Sequence, residues 1–155
     1  MIDPLIFLHA LAGGLGILAF VWVAAELLRP APAAVARAYT AAVLGTIFLL
    51  FSWAMSAFYY LTVYGPVVKS LVLQEAPWAH SIGMETKEHV FLFLPFLAIL
   101  EVCLLQAYGQ KPLPVRTALV VIALAIVVIG LVVMAEGYIV SAAARAALAS
   151  GGGAT

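Results

Sequence analysis

Residues 117–140 read TALVVIALAIVVIGLVVMAEGYIV, a run of 24 positions in which Glu136 is the only charged residue. A helix needs roughly 20 apolar residues to cross the hydrocarbon core of a bilayer. The run therefore predicts a transmembrane helix. Working back along the chain, three further stretches of the same character lie at about 5–28, 39–64 and 85–108, with short polar segments between them.

The composition agrees with a membrane protein. Hydrophobic residues make up 66% of the chain and charged residues 9%, and the mean hydropathy is +1.19. Soluble domains lie far below that value. The fold class that we predict is all-α: an integral membrane four-helix bundle with up-down-up-down topology, in one domain over 1–155. Residues 146–155 are predicted to form a flexible tail because they end in small residues and glycine.

Proline, glycine and charge mark the predicted helix ends. The second span is expected to stop at Gly65 and Pro66, since proline removes a backbone donor and crowds the preceding turn. The two short loops on one side carry Arg29, Arg37, Lys111 and Arg116 and no acid. Positively charged loops remain in the cytoplasm. We therefore expect a multi-pass protein of a bacterial inner membrane with both termini in the periplasm.

Several functions are excluded by pattern. The chain has no phosphate-binding loop and no dinucleotide-binding fingerprint. Its formal net charge is zero and it has no basic patch, which argues against nucleic acid as a partner. The expected surroundings are the lipid bilayer, with a membrane redox partner, a larger membrane complex or further copies of the chain as protein partners.

Polar side chains converge on the predicted outer side, although they are far apart in sequence. Such residues are costly inside a membrane and mark functional sites when they occur there. Their convergence indicates a bound cofactor or metal. The group consists of Asp3, His9, His80, Glu85, Glu88, His89 and Glu136.

His9 lies about one turn into the first span, and Gly13 and Gly16 continue its face of the helix. The strip of small residues either lets two helices pack closely or leaves room for a flat ligand. His89 begins the third span at a similar depth, and the first and third helices of a bundle are often diagonal neighbours. Two histidines at one level are the ligands that six-coordinate haem iron needs.

This arrangement of His9, Gly13, Gly16 and His89 resembles membrane b-type cytochromes in general, in which histidines on facing helices hold haem. The resemblance implies one b-type haem that transfers electrons from a membrane donor to an acceptor at the outer face. A second histidine pair is absent from the sequence, so two haems of this kind are excluded.

A mononuclear metal site is the alternative. On a helix, Glu85 and His89 are four residues apart and share a face. Together with His9, and with His80, Glu136 or Met84 completing the shell, they would suit zinc, copper, iron or manganese. A structural or accessory subunit of a larger membrane complex, without any cofactor, is the remaining interpretation.

Two acids lie toward the other side of the membrane. Glu26, near the end of its span, is expected to extend outward to water. Glu101 lies about two turns inside the third span, after Pro95. A buried acid there either belongs to a proton path or a quinone site, or forms a hydrogen bond with Ser52 or Thr46 on the second span.

Overall fold

The computed structural model describes residues 4–29, 31, 33–108 and 113–151, and Asp3 and residues 152–155 lie outside this part of the chain. Nearly all of the described residues are helical, and none of them lies in a strand. Two π-helical segments, Tyr60–Val68 and Ala79–Met84, interrupt the series of α-helices. The α-helices are α1 (Pro4–Leu27), α2 (Ala34–Tyr59), α3 (Lys69–Glu75), α4 (Glu85–Tyr108) and α5 (Leu113–Gly151).

Within the described residues, four continuous helical stretches are long and apolar enough to cross a membrane. The bounds of α1 and α4 lie within one residue of the predicted spans. The third stretch begins six residues before α4, with the π-helical segment Ala79–Met84, and the second and fourth stretches are also longer than predicted. The four are Pro4–Leu27, Ala34–Glu75, Ala79–Tyr108 and Val115–Ala149.

The second stretch does not stop at Gly65 and Pro66, as the sequence predicted. It begins earlier, at Ala34, and continues through the first π-helical segment into α3. There the backbone N–H of Lys69 donates to the carbonyl of Tyr64, five residues earlier. Because Pro66 has no N–H and its ring crowds an α-helical turn, wider turns accommodate it. Continuing the helix also keeps backbone groups bonded in an apolar segment.

The last helix differs from the prediction at both ends. α5 spans 39 residues, and the part predicted as a flexible tail is helical as far as Gly151. Alanine, the best helix former, dominates this segment. Ala144 and Ala147 also pack in a small apolar cluster with Val68 and Val72, so tertiary contact orders the helix end.

Four long helices enclose the main core. α1 packs against α2 and α5, and α4 packs against the same two helices. Large side chains from each helix fill the centre, including Phe20, Leu49, Leu94 and Ile126, all essentially inaccessible to solvent. Each helix therefore contributes one face to a common apolar core.

The contact between α1 and α2 is especially close because glycines meet there. A Cβ placed on Gly16 would lie 2.9 Å from the Leu49 side chain and 3.3 Å from the carbonyl oxygen of Gly45. A Cβ on Gly45 would lie 2.8 Å from the Phe20 ring. Small residues that let two backbones approach in this way stabilise helix pairs in membranes.

We expect Gly16→Ala to destabilise the protein by about 1–3 kcal/mol, because the added methyl group overpacks the contact with Leu49. Gly14→Ala is the matched control, since a Cβ at Gly14 meets no atom within 4 Å. The midpoint of thermal unfolding in detergent compares the stability of the two variants. Equal stability of the two would contradict the close packing.

Candidate functional site

Polar residues from separate helices meet at the end of the bundle that contains His9. The His9 ring contacts the edge of Phe91 on α4, with 5.7 Å between ring centroids and an interplanar angle of 89°. Lys87, one turn before Phe91 on α4, lies beside Gly137 on α5: a Cβ placed on Gly137 would be 3.2 Å from Nζ of Lys87. The first turns of α1 and α4 and the Glu136 region of α5 therefore belong to the same end.

His9 is bonded to Ser52 on α2. Its Nδ1 lies 2.9 Å from the backbone oxygen of Ser52 and 2.9 Å from the hydroxyl oxygen. The Ser52 hydroxyl donates to the backbone oxygen of His9 at 2.9 Å. A carbonyl oxygen only accepts, so Nδ1 carries the hydrogen, and Nε2 of the neutral ring is left with a free lone pair.

The glycines that follow His9 face α2. A Cβ on Gly13 would lie 3.2 Å from the Ser52 hydroxyl oxygen, and Gly16 is covered by Leu49. In this conformation the strip is filled by protein side chains, so it serves close helix packing, one of the two uses that the sequence left open.

His80 lies in a different environment, within the second π-helical segment. Its Nδ1 is 3.2 Å from the hydroxyl oxygen of Tyr64, and both side chains are buried. Tyr60 stacks on Tyr64 with 5.5 Å between ring centroids. π-Helical turns often occur at functional sites. The Tyr64–His80 pair was not anticipated from the sequence, because it depends on the helix continuing past Pro66.

Glu85 and His89 lie on one exposed face at the start of α4, as their spacing predicted. Nδ1 of His89 donates to the backbone oxygen of Glu85 at 2.6 Å. This bond uses the backbone of Glu85 and not its carboxylate. Nε2 of His89 is therefore the free ring nitrogen, as it is in His9.

His9 and His89 lie at a similar level but on different faces. Phe91, which contacts His9, follows His89 by two residues, and two residues correspond to about 200° around a helix. His89 thus points away from the side of α4 that meets His9. The structure brings His9, Ser52 and Phe91 together and leaves His80 and His89 in separate places.

The residues proposed as metal ligands do not form a cluster in this conformation. Among the described residues, no group of three His, Cys, Asp or Glu side chains lies close enough to hold a metal ion. Asp3 and the side chain of Glu88 lie outside the description. Glu136 is half-buried, and its Oε2 is buried without a hydrogen-bond partner in the described part of the chain.

A second polar cluster lies at the opposite end. Glu26 is buried and accepts hydrogen bonds from Arg37 at 2.7 Å and from the Trp22 ring at 3.2 Å. Arg29 approaches the same carboxylate at 3.5 Å. The sequence predicted that Glu26 would extend outward to water, and this prediction is wrong. Two arginines and a tryptophan hold its carboxylate against the protein.

We expect Ser52→Ala to lower stability by about 1–2 kcal/mol, since it removes a buried hydroxyl that bonds to His9. Ser56→Ala is the control, one turn farther along α2 at a half-buried position. Unfolding midpoints in the same detergent compare the two. If both variants unfold alike, the Ser52 hydroxyl does not stabilise the helix pair.

In comparisons by sequence and by structure, no protein-family model, curated protein or solved structure matched this chain.

Proposed function

We propose that this chain is a multi-pass protein of a bacterial inner membrane, folded as an up-down-up-down bundle. Along α1 and α2, His9 pairs with Ser52 and Glu26 with Arg37, so residue numbers run in opposite directions in the two helices. Gly83 lies beside Val140 and Lys87 beside Gly137, which supports the same relation between α4 and α5.

The surface supports embedding in lipid. Large apolar side chains are exposed on every long helix, among them Leu18, Ile47, Phe96 and Val128. In water, so much exposed apolar area would drive aggregation or association. Arg29, Arg37 and Arg116 gather at one end, which is the cytoplasmic end by the positive-inside rule. The His9 end then faces the periplasm.

We further propose that the His9 end binds one redox cofactor, with b-type haem as the best candidate and His9 and His89 as the residues that would hold it. One observation carries this proposal: both histidines donate from Nδ1 to a backbone carbonyl. Histidines that bind metals are commonly oriented in this way, with the other nitrogen presented to the metal. The cofactor would transfer electrons between a membrane donor and an outer-face acceptor.

Ligation by both histidines requires the first turns of α4 to rotate, so that His89 faces α1. The π-helical segment Ala79–Met84 lies directly before α4. A π-helical turn holds more residues than an α-helical turn, so a change between the two would rotate α4 about its axis. A cofactor that is bound at this end would favour the rotated arrangement.

The test is an optical spectrum of protein purified in mild detergent, oxidised and then reduced with dithionite. We expect a Soret band that shifts on reduction, and we expect His9→Ala and His89→Ala each to lose it or change it to a five-coordinate spectrum. His80→Ala is the control, since His80 pairs with Tyr64 away from both ligands. A folded His9→Ala protein with full haem content and an unchanged spectrum would exclude His9 as a ligand.

A mononuclear metal site is the second candidate, and the buried, unpartnered Oε2 of Glu136 favours it. The proposed ligands are His9, Glu85 and His89, with His80 or Glu136 completing the set around zinc, copper, iron or manganese. An uncoloured protein that retains no metal would instead support an accessory subunit.

Glu85→Gln separates the two candidates. For haem we expect an unchanged spectrum, because His89 bonds to the backbone of Glu85 and not to its carboxylate. For a metal site we expect zinc affinity to fall about 10-fold to 100-fold, measured by competition with a chelator. Glu75→Gln on α3 is the control in both measurements. A haem spectrum that changes with Glu85→Gln alone would contradict the assigned ligand pair.

A further inference from the structure

Glu101 lies inside the bundle, on the core face of α4. Its side chain has no solvent exposure, like Leu94 and Ala98 on the preceding turns. Leu105, one turn later, is also buried. Glu101 therefore lies on the same buried face of α4 as these three apolar residues.

Neither oxygen of Glu101 has a hydrogen-bond partner among the described residues. The two hydroxyls that the sequence offered as partners bond elsewhere: Thr46 donates to the carbonyl of Ala42 at 2.8 Å, and Ser52 donates to His9. Glu101 therefore does not form the hydrogen bond to Ser52 or Thr46 that was one of the sequence-based alternatives.

The arginines described near that end bond to other groups, although Nε of Arg116 is buried without a partner. Arg29 and Arg37 approach Glu26, and Arg116 donates to the carbonyls of Leu27 and Arg29 at 2.7 and 2.8 Å. The charged or titratable groups on the corresponding halves of the helices packed against α4 are Arg37 and Tyr39 on α2 and Arg116 on α5.

The two buried acids of this half of the bundle thus differ in their surroundings. Glu26 has cationic partners, which stabilise its ionised form. Glu101 has no such partner among the described residues, and burying an unpaired carboxylate in an apolar interior is costly. An acid in such a place gains a proton in preference to a charge.

We propose that Glu101 is a proton-binding site of the membrane interior: a carboxyl group that is neutral at rest and exchanges its proton with water. Buried acids of this kind form proton relays in membrane proteins. In the exchange, the O–H bond of the carboxylic acid breaks, the proton leaves to water, and a proton from water restores the bond. No part of this inference depends on a cofactor at the His9 end.

The test is infrared spectroscopy of the full chain in lipid vesicles at neutral pH. The difference between wild type and Glu101→Gln is expected to contain the C=O stretching band of a protonated carboxylic acid. That band should shift to lower frequency in D2O buffer, because the exchangeable proton is replaced. Glu26→Gln is the matched control and should leave the band in place.

Two results would overturn the proposal. Absence of a protonated C=O band from the difference spectrum would mean that Glu101 is ionised. A band that keeps its frequency after prolonged exposure to D2O would mean that its proton is trapped. Glu101→Asp provides a second comparison if the glutamine variant does not fold, since it keeps a carboxyl group and should move the band without removing it.

Discussion

The close approach of α1 and α2 is the constraint on which the rest of the bundle depends. Gly16 and Gly45 allow the backbones to come within reach of each other, and Leu49 and Phe20 close over them. That spacing places Ser52 against His9, where hydroxyl, carbonyl and ring nitrogen satisfy one another. With bulkier residues at the crossing, His9 would remain in an apolar layer without its partner. The packing of two glycines therefore determines the chemistry about two turns away.

Each polar group in so apolar a chain is stabilised by a bond, by exposure or by a neutral state. Glu26 is bonded to Arg37, and His80 is bonded to Tyr64. His89 is exposed at a helix start. Glu101 is left with neither a partner nor contact with solvent. The last case is the costly one, and a cost that packing does not explain points to function.

Much of the fold could be predicted from the sequence, because length and hydropathy identify spans directly. The α-helix that contains His89 has the bounds that the sequence indicated. The continuation through Pro66 could not be predicted, since local rules for proline favour a stop and only the apolar context favours π-helical turns. The helical end of α5 depends on contacts of Ala144 and Ala147 with a segment some 75 residues earlier. Such contacts are invisible in a local pattern.

The arrangement of the candidate site was harder to predict for a related reason. In a helix that is apolar on every side, the pattern does not reveal which face meets protein and which meets lipid. Depth follows from position along the chain, so His9 and His89 were placed at a similar level, and the contact of His9 with Phe91 agrees with that. Rotation about the helix axis does not follow from position, and it is rotation that separates the two histidines.

The two histidines therefore carry different weight in any functional argument. His9 has bonding partners within the chain, so helix packing alone accounts for its presence. His89 presents Nε2 outward from α4, and its only described hydrogen bond is to the backbone of its own helix. Packing gives no reason for a histidine at that position, whereas a ligand or a headgroup does. The chemistry of this end of the bundle is consequently constrained more by His89 than by His9.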